Sequence, residues 1–169
     1  ENNSAGIAGV MGRNIKIMGL NVFGTVASAS ATNINNAINY AAAKGAHVIN
    51  MSLGGSGTSA STQAAMQNAV AAGVTIVVAA GNSSQEITAS NFFQPAGYAK
   101  DLDGAISVGS IDAADVTLSS FSNYSTSYVE IAAPGSDSNL GGIYSTIPTS
   151  TYGFKQGTSM ASPVVAGAV

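Results

Sequence analysis

Cysteine and tryptophan are absent from this 169-residue chain, histidine occurs once, and charged residues make up only 8% of it. Each scarcity excludes something. Without cysteine there is no disulfide, no thiolate metal site and no thiol nucleophile. An ordinary soluble domain carries roughly 25% charged residues, so hydroxyl, amide and small side chains must meet the solvent here instead. Five Lys and Arg against eight Asp and Glu give a formal charge of -3. That leaves no basic stripe to neutralise phosphates and argues against nucleic acid as a partner. The apolar runs fall far short of the ~20 residues that cross a bilayer, which argues against a membrane span. The chain opens on Glu1 with no charged-then-apolar leader. Its first residues read as the interior of a loop, and the ends look cut.

What is present is an apolar fraction of 46%, enough for one domain with its own core. Asn14 to Phe23 alternates as a strand, with Ile15, Ile17 and Val22 inward. Thr32 or Asn33 is expected to cap a helix whose apolar face is Ile34, Ala37, Ile38, Ala41 and Ala42, ended by Lys44 and Gly45. His47 to Leu53 reads as a buried strand. Ser61 to Ala72 reads as a second helix, followed by Gly73. Val74 to Ala80 is a nearly continuous apolar run, as in a strand covered on both faces. Shorter strands are expected at 105–109, 129–132 and 143–147, and a helix starts at Thr158. There is no repeat and no second domain. Strands alternating with helices predict an α/β fold, a parallel sheet flanked by helices on both faces. In such sheets ligands sit beyond the carboxyl ends of the strands, which draws attention to Ser52-Leu53-Gly54-Gly55 and to Gly81-Asn82.

The sharpest chemical signal is Gly157-Thr158-Ser159-Met160-Ala161-Ser162-Pro163, one serine among small residues where a helix begins. Unpaired N–H groups at a helix N-terminus favour the oxyanion formed when a hydroxyl attacks a carbonyl. Pro163 suits a first turn, where its missing N–H has no acceptor to lose. Read alone, Ser159 is more simply a capping serine ahead of a small-residue core helix, and Asn82 alone more simply a turn residue that tolerates the left-handed region.

The string GTSMASP resembles the nucleophile motif of the subtilisin-like serine proteases. Two further segments match that family in the same order. HVINMSLGG is similar to its substrate-binding strand, and Ile76 to Asn82 (IVVAAGN) to the segment ending on its oxyanion-hole asparagine. Asn2 to Ile7 resembles the calcium-binding loop that follows the family's catalytic histidine helix. The resemblance thus covers nearly the whole chain. It implies Ser159 as the nucleophile and Asn82 as oxyanion donor. Ser52, Leu53 and Gly54 would form an edge for an extended polypeptide substrate, and Ala79, Ala80 and Gly81 would line the pocket for the residue before the cut. Thr25 to Ala29 corresponds to the opposite edge, though it lacks the Gly-rich pattern found there in the family. Asn91 to Gly97 corresponds to the far wall of the pocket, with Phe92 and Phe93 either wall or core. A structural calcium would be held by Asn3 through its side chain and by the carbonyls of Glu1, Ala5 and Ile7. The family also implies a secreted, extracellular enzyme that is a monomer when complete.

Two parts of the family's triad are missing. The only histidine, His47, lies at the amino end of its strand, away from the ligand side of the sheet, and no aspartate follows the expected strand. The family's chain order is Asp, His, Ser, so 1–169 reads as the C-terminal part of a peptidase domain whose acid and base lie upstream. By itself this segment would be inactive or nearly so. Rival readings fit less well. An α/β-hydrolase needs a G-x-S-x-G elbow, which Ser159 lacks. Relatives with a Ser-Glu-Asp triad would place an aspartate where Asn82 stands. A non-catalytic subtilisin-like binding or scaffold domain stays open as the alternative.

Overall fold

The computed structural model describes residues 6–12 and 15–169. In chain order the elements are α1 (Ala31–Ala43), β1 (Val48–Met51), β2 (Gly55–Ser56), α2 (Ala60–Ala71), β3 (Thr75–Ala79), β4 (Phe93–Gln94), a 3-10 helix (Ala96–Asp101), β5 (Ala105–Asp112), β6 (Ile131–Ser136), β7 (Ile143–Ile147), β8 (Thr151–Lys155) and α3 (Thr158–Ala168). β1, β3, β5 and β6 make a parallel sheet in the order β1-β3-β5-β6. β2 and β4 form a short antiparallel pair, and β7 and β8 a hairpin.

β3 explains why the sheet needs a layer on each side. Ile76, Val77 and Val78 are all 0% exposed, although successive side chains of a strand point to opposite faces. Ile76, Val78 and Ala80 join the larger core, together with Ile38 of α1, Met66 and Ala69 of α2, and Tyr98 of the 3-10 helix. Val77 joins the other core, with Val108, Ala133, and Ala161 and Val165 of α3. Burial of each Val, Ile or Met side chain among them contributes about 1.5–3 kcal/mol. The continuous apolar run and the two-sided helix cover are one fact seen from sequence and from structure.

The helix ends follow from their caps. α1 starts one residue before Thr32, because Ser30 is the capping residue and its hydroxyl accepts from Asn33 N–H at 3.1 Å. Asn33, an expected cap, instead donates its side-chain amide to the Val22 carbonyl at 3.2 Å. Lys44 closes the helix and Gly45 follows at φ +75°, a left-handed conformation that glycine adopts without a steric penalty. α2 is capped by Ser59. The Tyr98 hydroxyl holds that residue in place, accepting from Ser59 N–H and donating to Ser59 O.

The strand expected over Asn14 to Phe23 does not form in its described part. Residues 15–21 carry no regular structure, and Ile15 and Ile17 are 54% and 83% exposed. Alternation supplies a face but not a partner, and no described strand pairs with this stretch. Its end is a turn: Asn21 Oδ1 accepts from Phe23 N–H at 3.1 Å and Gly24 N–H at 3.0 Å. Residues 22–28 continue as turn and bend, irregular as their small, Gly-containing sequence suggests. The other expected strands are present. β5 runs three residues beyond Gly109, β6 begins at Ile131 rather than Val129, and β7 has the expected limits.

Candidate active site

The carboxyl ends of β1 and β3 and the start of α3 come together. Thr158 N–H, the first of the helix, donates to Asn82 Oδ1 at 2.8 Å, and the Thr158 hydroxyl donates to the same oxygen at 2.9 Å. Gly81 N–H donates in turn to Thr158 Oγ1 at 3.1 Å. These contacts identify the oxygen of the Asn82 amide, because a backbone N–H needs an acceptor. The opposite end, Nδ2, is then left as a donor, and it meets no acceptor among the described residues.

Gly157 keeps the space beside that donor open. Its φ of +148° lies in the region that favours glycine. A Cβ there would stand 3.3 Å from Asn82 Nδ2 and 3.6 Å from the Ser159 backbone nitrogen. Met160 and Ala161 N–H both bond the Gly157 carbonyl, at 2.9 and 3.3 Å. Ser159 N–H finds no acceptor among the described residues. Two free donors therefore flank one small space next to a half-buried serine hydroxyl. The Ser159 hydroxyl makes only a long contact, 3.4 Å, to the Ser52 carbonyl.

Pro163 sits in the second turn of α3, not in its first, since the helix begins at Thr158. A proline there leaves the carbonyl four residues earlier without its helical donor, and that carbonyl is Ser159 O. The Ser52 hydroxyl supplies the missing bond at 2.9 Å. Behind it, Asn50 Nδ2 donates to Ser52 Oγ at 3.0 Å and Ser162 Oγ donates to Asn50 Oδ1 at 2.7 Å. This directed chain ties the exit of β1 to the start of α3 and fixes the serine against Ser52.

The other candidate residues fall as follows. Leu53 is half-buried against the larger core, while Gly54 is exposed beside it. Ala79 and Ala80 turn their methyl groups into buried surroundings, so they offer a substrate only backbone, as Gly81 does. Phe92 packs on Tyr98 and Tyr128 with ring centroids 5.0 and 6.1 Å away. Phe93 instead points its ring edge at Gly54 and Gly81. Glu1, Asn3 and Ala5 lie outside the described residues. Ile7 is exposed on an irregular stretch. His47 is exposed, roughly 16 Å of extended chain from Ser52. No side chain of 50–54, 79–82 or 157–160 is ionisable, so nothing in these segments takes a proton from Ser159.

Asn123 is a residue that the motifs did not reveal. It is 2% exposed. Its Nδ2 donates to Ala80 O at 2.9 Å, and its Oδ1 accepts from Ser83 N–H at 3.0 Å and Gln85 N–H at 3.2 Å. Its own N–H donates to Gly81 O at 2.9 Å. One side chain thus clamps both sides of the loop that carries Asn82.

Comparison with known proteins agrees with this architecture. The sequence profile of the subtilase family matches residues 1–169. The chain is 45% identical over 166 residues to thermitase of Thermoactinomyces vulgaris, covering 98% of this chain and 54% of that protein. It is 42% identical over 166 residues to a thermophilic serine proteinase of Bacillus sp. strain AK1, covering 98% of this chain and 37% of that protein. A solved structure, a cold-adapted subtilisin-like serine proteinase, superposes with a TM-score of 0.79 at 34% identity, covering 96% of this chain and 57% of the other. The chain belongs to the subtilase family, and two of these three similar proteins are named serine proteinases. It spans roughly 37–57% of the length of these three relatives.

Proposed function

We propose that the protein carrying this sequence is a serine endopeptidase in which Ser159 attacks the scissile carbonyl and forms an acyl-enzyme. One observation carries the reading: Asn82 Nδ2 and Ser159 N–H, both without acceptors among the described residues, flank the space that Gly157 leaves empty. Such a pair suits the negative oxygen of a tetrahedral intermediate, because donors fixed in advance need no reorganisation as charge develops. The substrate would be an extended polypeptide along Ser52-Leu53-Gly54, where free backbone groups can add a strand. The proton of Ser159 has to leave to a base held outside these segments, with the histidine and aspartate of a triad upstream of Glu1. A relative and a solved structure that are named serine proteinases support this reading. The same resemblance supports secretion to the extracellular space. Among the described residues no helix is long and apolar enough to cross a membrane.

A fluorophosphonate probe applied to the full natural chain is expected to label Ser159 and no other serine, as located by peptide mapping, and heat denaturation should abolish labelling. A folded full chain that stays unlabelled would sink the enzyme reading and leave a binding or scaffold domain. The isolated 169-residue segment is expected to label orders of magnitude more slowly, since binding and the oxyanion donors alone give only residual rates.

A structural calcium at Glu1, Asn3, Ala5 and Ile7 is part of the same proposal. Oxygen donors on an irregular loop suit a hard cation. Among these four residues only Ile7 lies within the described part, as one backbone oxygen, and no catalytic step passes through the ion. Its expected effect is a Tm of the full natural chain that rises with calcium and falls on chelation; an unchanged Tm removes the site.

A further inference from the structure

We infer that Phe93 limits the substrate residue immediately before the cut to a small side chain, glycine, alanine or serine. The inference rests on the peptidase reading above and adds the substrate class. If the attacked carbonyl sits between Asn82 and Ser159, the side chain of its own residue enters the slot between the exits of β1 and β3. The walls of that slot are Gly54 and Gly81, neither of which brings a side chain to fill it.

The ring of Phe93 fills it instead. A Cβ on Gly81 would lie 2.6 Å from Phe93 Cζ and 2.8 Å from Cε1. A Cβ on Gly54 would collide with Phe93 Cε1 and stand 2.8 Å from the Gln94 carbonyl. The same ring edge therefore touches both walls. Each contact is far inside ordinary van der Waals distance for a carbon with a side chain; Gly81 is required as well by its φ of +103° and by Asn123 Nδ2 beside it.

The ring is held there by its backbone. β4 pairs with β2, Ser56 opposite Phe93 and Gly55 opposite Gln94, and Gly57 N–H donates to Phe92 O at 2.8 Å. Neighbouring strand residues point to opposite sides. Phe92 goes into the ring cluster with Tyr98 and Phe93 goes to the slot. Phe93 also packs against the larger core, so swinging it out of the way would lose apolar contact. A leucine or phenylalanine before the cut would have to displace the ring, whereas a methyl group would not.

The test uses the full natural chain and four tetrapeptide p-nitroanilides that differ only in the last residue: Gly, Ala, Leu or Phe. The wild type is expected to show kcat/KM at least about tenfold higher for Ala than for Phe, the scale on which pockets discriminate by size. Phe93→Gly should shift the Phe-to-Ala ratio at least about tenfold toward Phe. Phe93→Leu keeps an apolar group on the core, so it guards against a variant that fails to fold, and should shift the ratio the same way by less. A wild type that takes Phe as well as Ala while Ser159 labels with fluorophosphonate overturns the inference and leaves the peptidase reading intact. A wild type selective for Ala whose folded variants keep the same ratio overturns it too. A folded chain that neither labels nor cleaves any of the four peptides overturns both.

Discussion

Asn82→Ala is expected to lower kcat on peptide substrates by about 100- to 1,000-fold, with KM changed little. Loss of one preformed oxyanion donor costs about 2.7–4 kcal/mol of barrier, a magnitude taken over from a subtilisin, not deduced from this geometry. The selectivity for kcat follows from charge. A peptide carbonyl in the ground state asks little of the donor, while the tetrahedral oxyanion asks much, so the loss falls on the transition state. Alanine also removes the acceptor of Thr158 N–H and Thr158 Oγ1, so a loosened start of α3 adds to its effect. Asn82→Asp separates the two. It keeps an oxygen for Thr158 and replaces the Nδ2 donor by a carboxylate oxygen, which repels the developing charge. The expectation is a kcat loss at least as large as that of Asn82→Ala, with Tm closer to the wild type. If Asn82→Asp retains wild-type kcat, Asn82 serves only to cap α3.

The three segments that meet at this site were legible because the chemistry constrains each of them in a few consecutive residues. Gly157 must be open, Thr158 must bind Asn82 and Ser159 must follow at once, so the motif is short and dense. The β3 run was legible for another reason: burial on both faces removes the alternation and leaves Ile76-Val77-Val78 as plain apolar sequence. Features with no local period were not legible. β2 and β4 are two residues each, and their pairing joins Ser56 to Phe93 across a helix and a strand. Whether Phe93 belonged to wall or core could not be read before that pairing was known. The strand pattern at Ile15 and Ile17 failed the other way, since a pattern carries no information on whether a neighbour exists. Pro163 misled through its position. Its missing bond falls one turn into α3 and is made good by Ser52, 111 residues earlier in the chain.

Asn123 is the strongest case of a residue hidden from the sequence, standing in a serine-rich stretch with no pattern to single it out, and its loss should show in stability first. Asn123→Ala removes the amide bonds to Ala80 O, Ser83 N–H and Gln85 N–H. Ala80 is 0% exposed, so water cannot easily replace the donor at its carbonyl, and an unmet buried polar group costs about 1–3 kcal/mol. Ser83 and Gln85 are exposed and recover part of their loss from solvent. Together with the small cavity left behind, the expected destabilisation is about 2–4 kcal/mol. The Tm shift per kcal/mol shrinks with domain size, from roughly 2–4 °C at 150–250 residues, so in the longer natural domain Tm should fall by several degrees. A second consequence separates a clamp from mere filler. The loop from Ala80 to Gln85 carries Asn82, so loosening it should reduce kcat below the melting transition, where the variant is still folded. Asn123→Ser, which keeps a hydroxyl but is too short to span both sides of the loop, should fall between the two on both measures. If Asn123→Ala melts with the wild type, the amide bonds are not holding the loop. If it melts early but keeps full kcat while folded, Asn82 is positioned by Thr158 alone, and the clamp serves stability only.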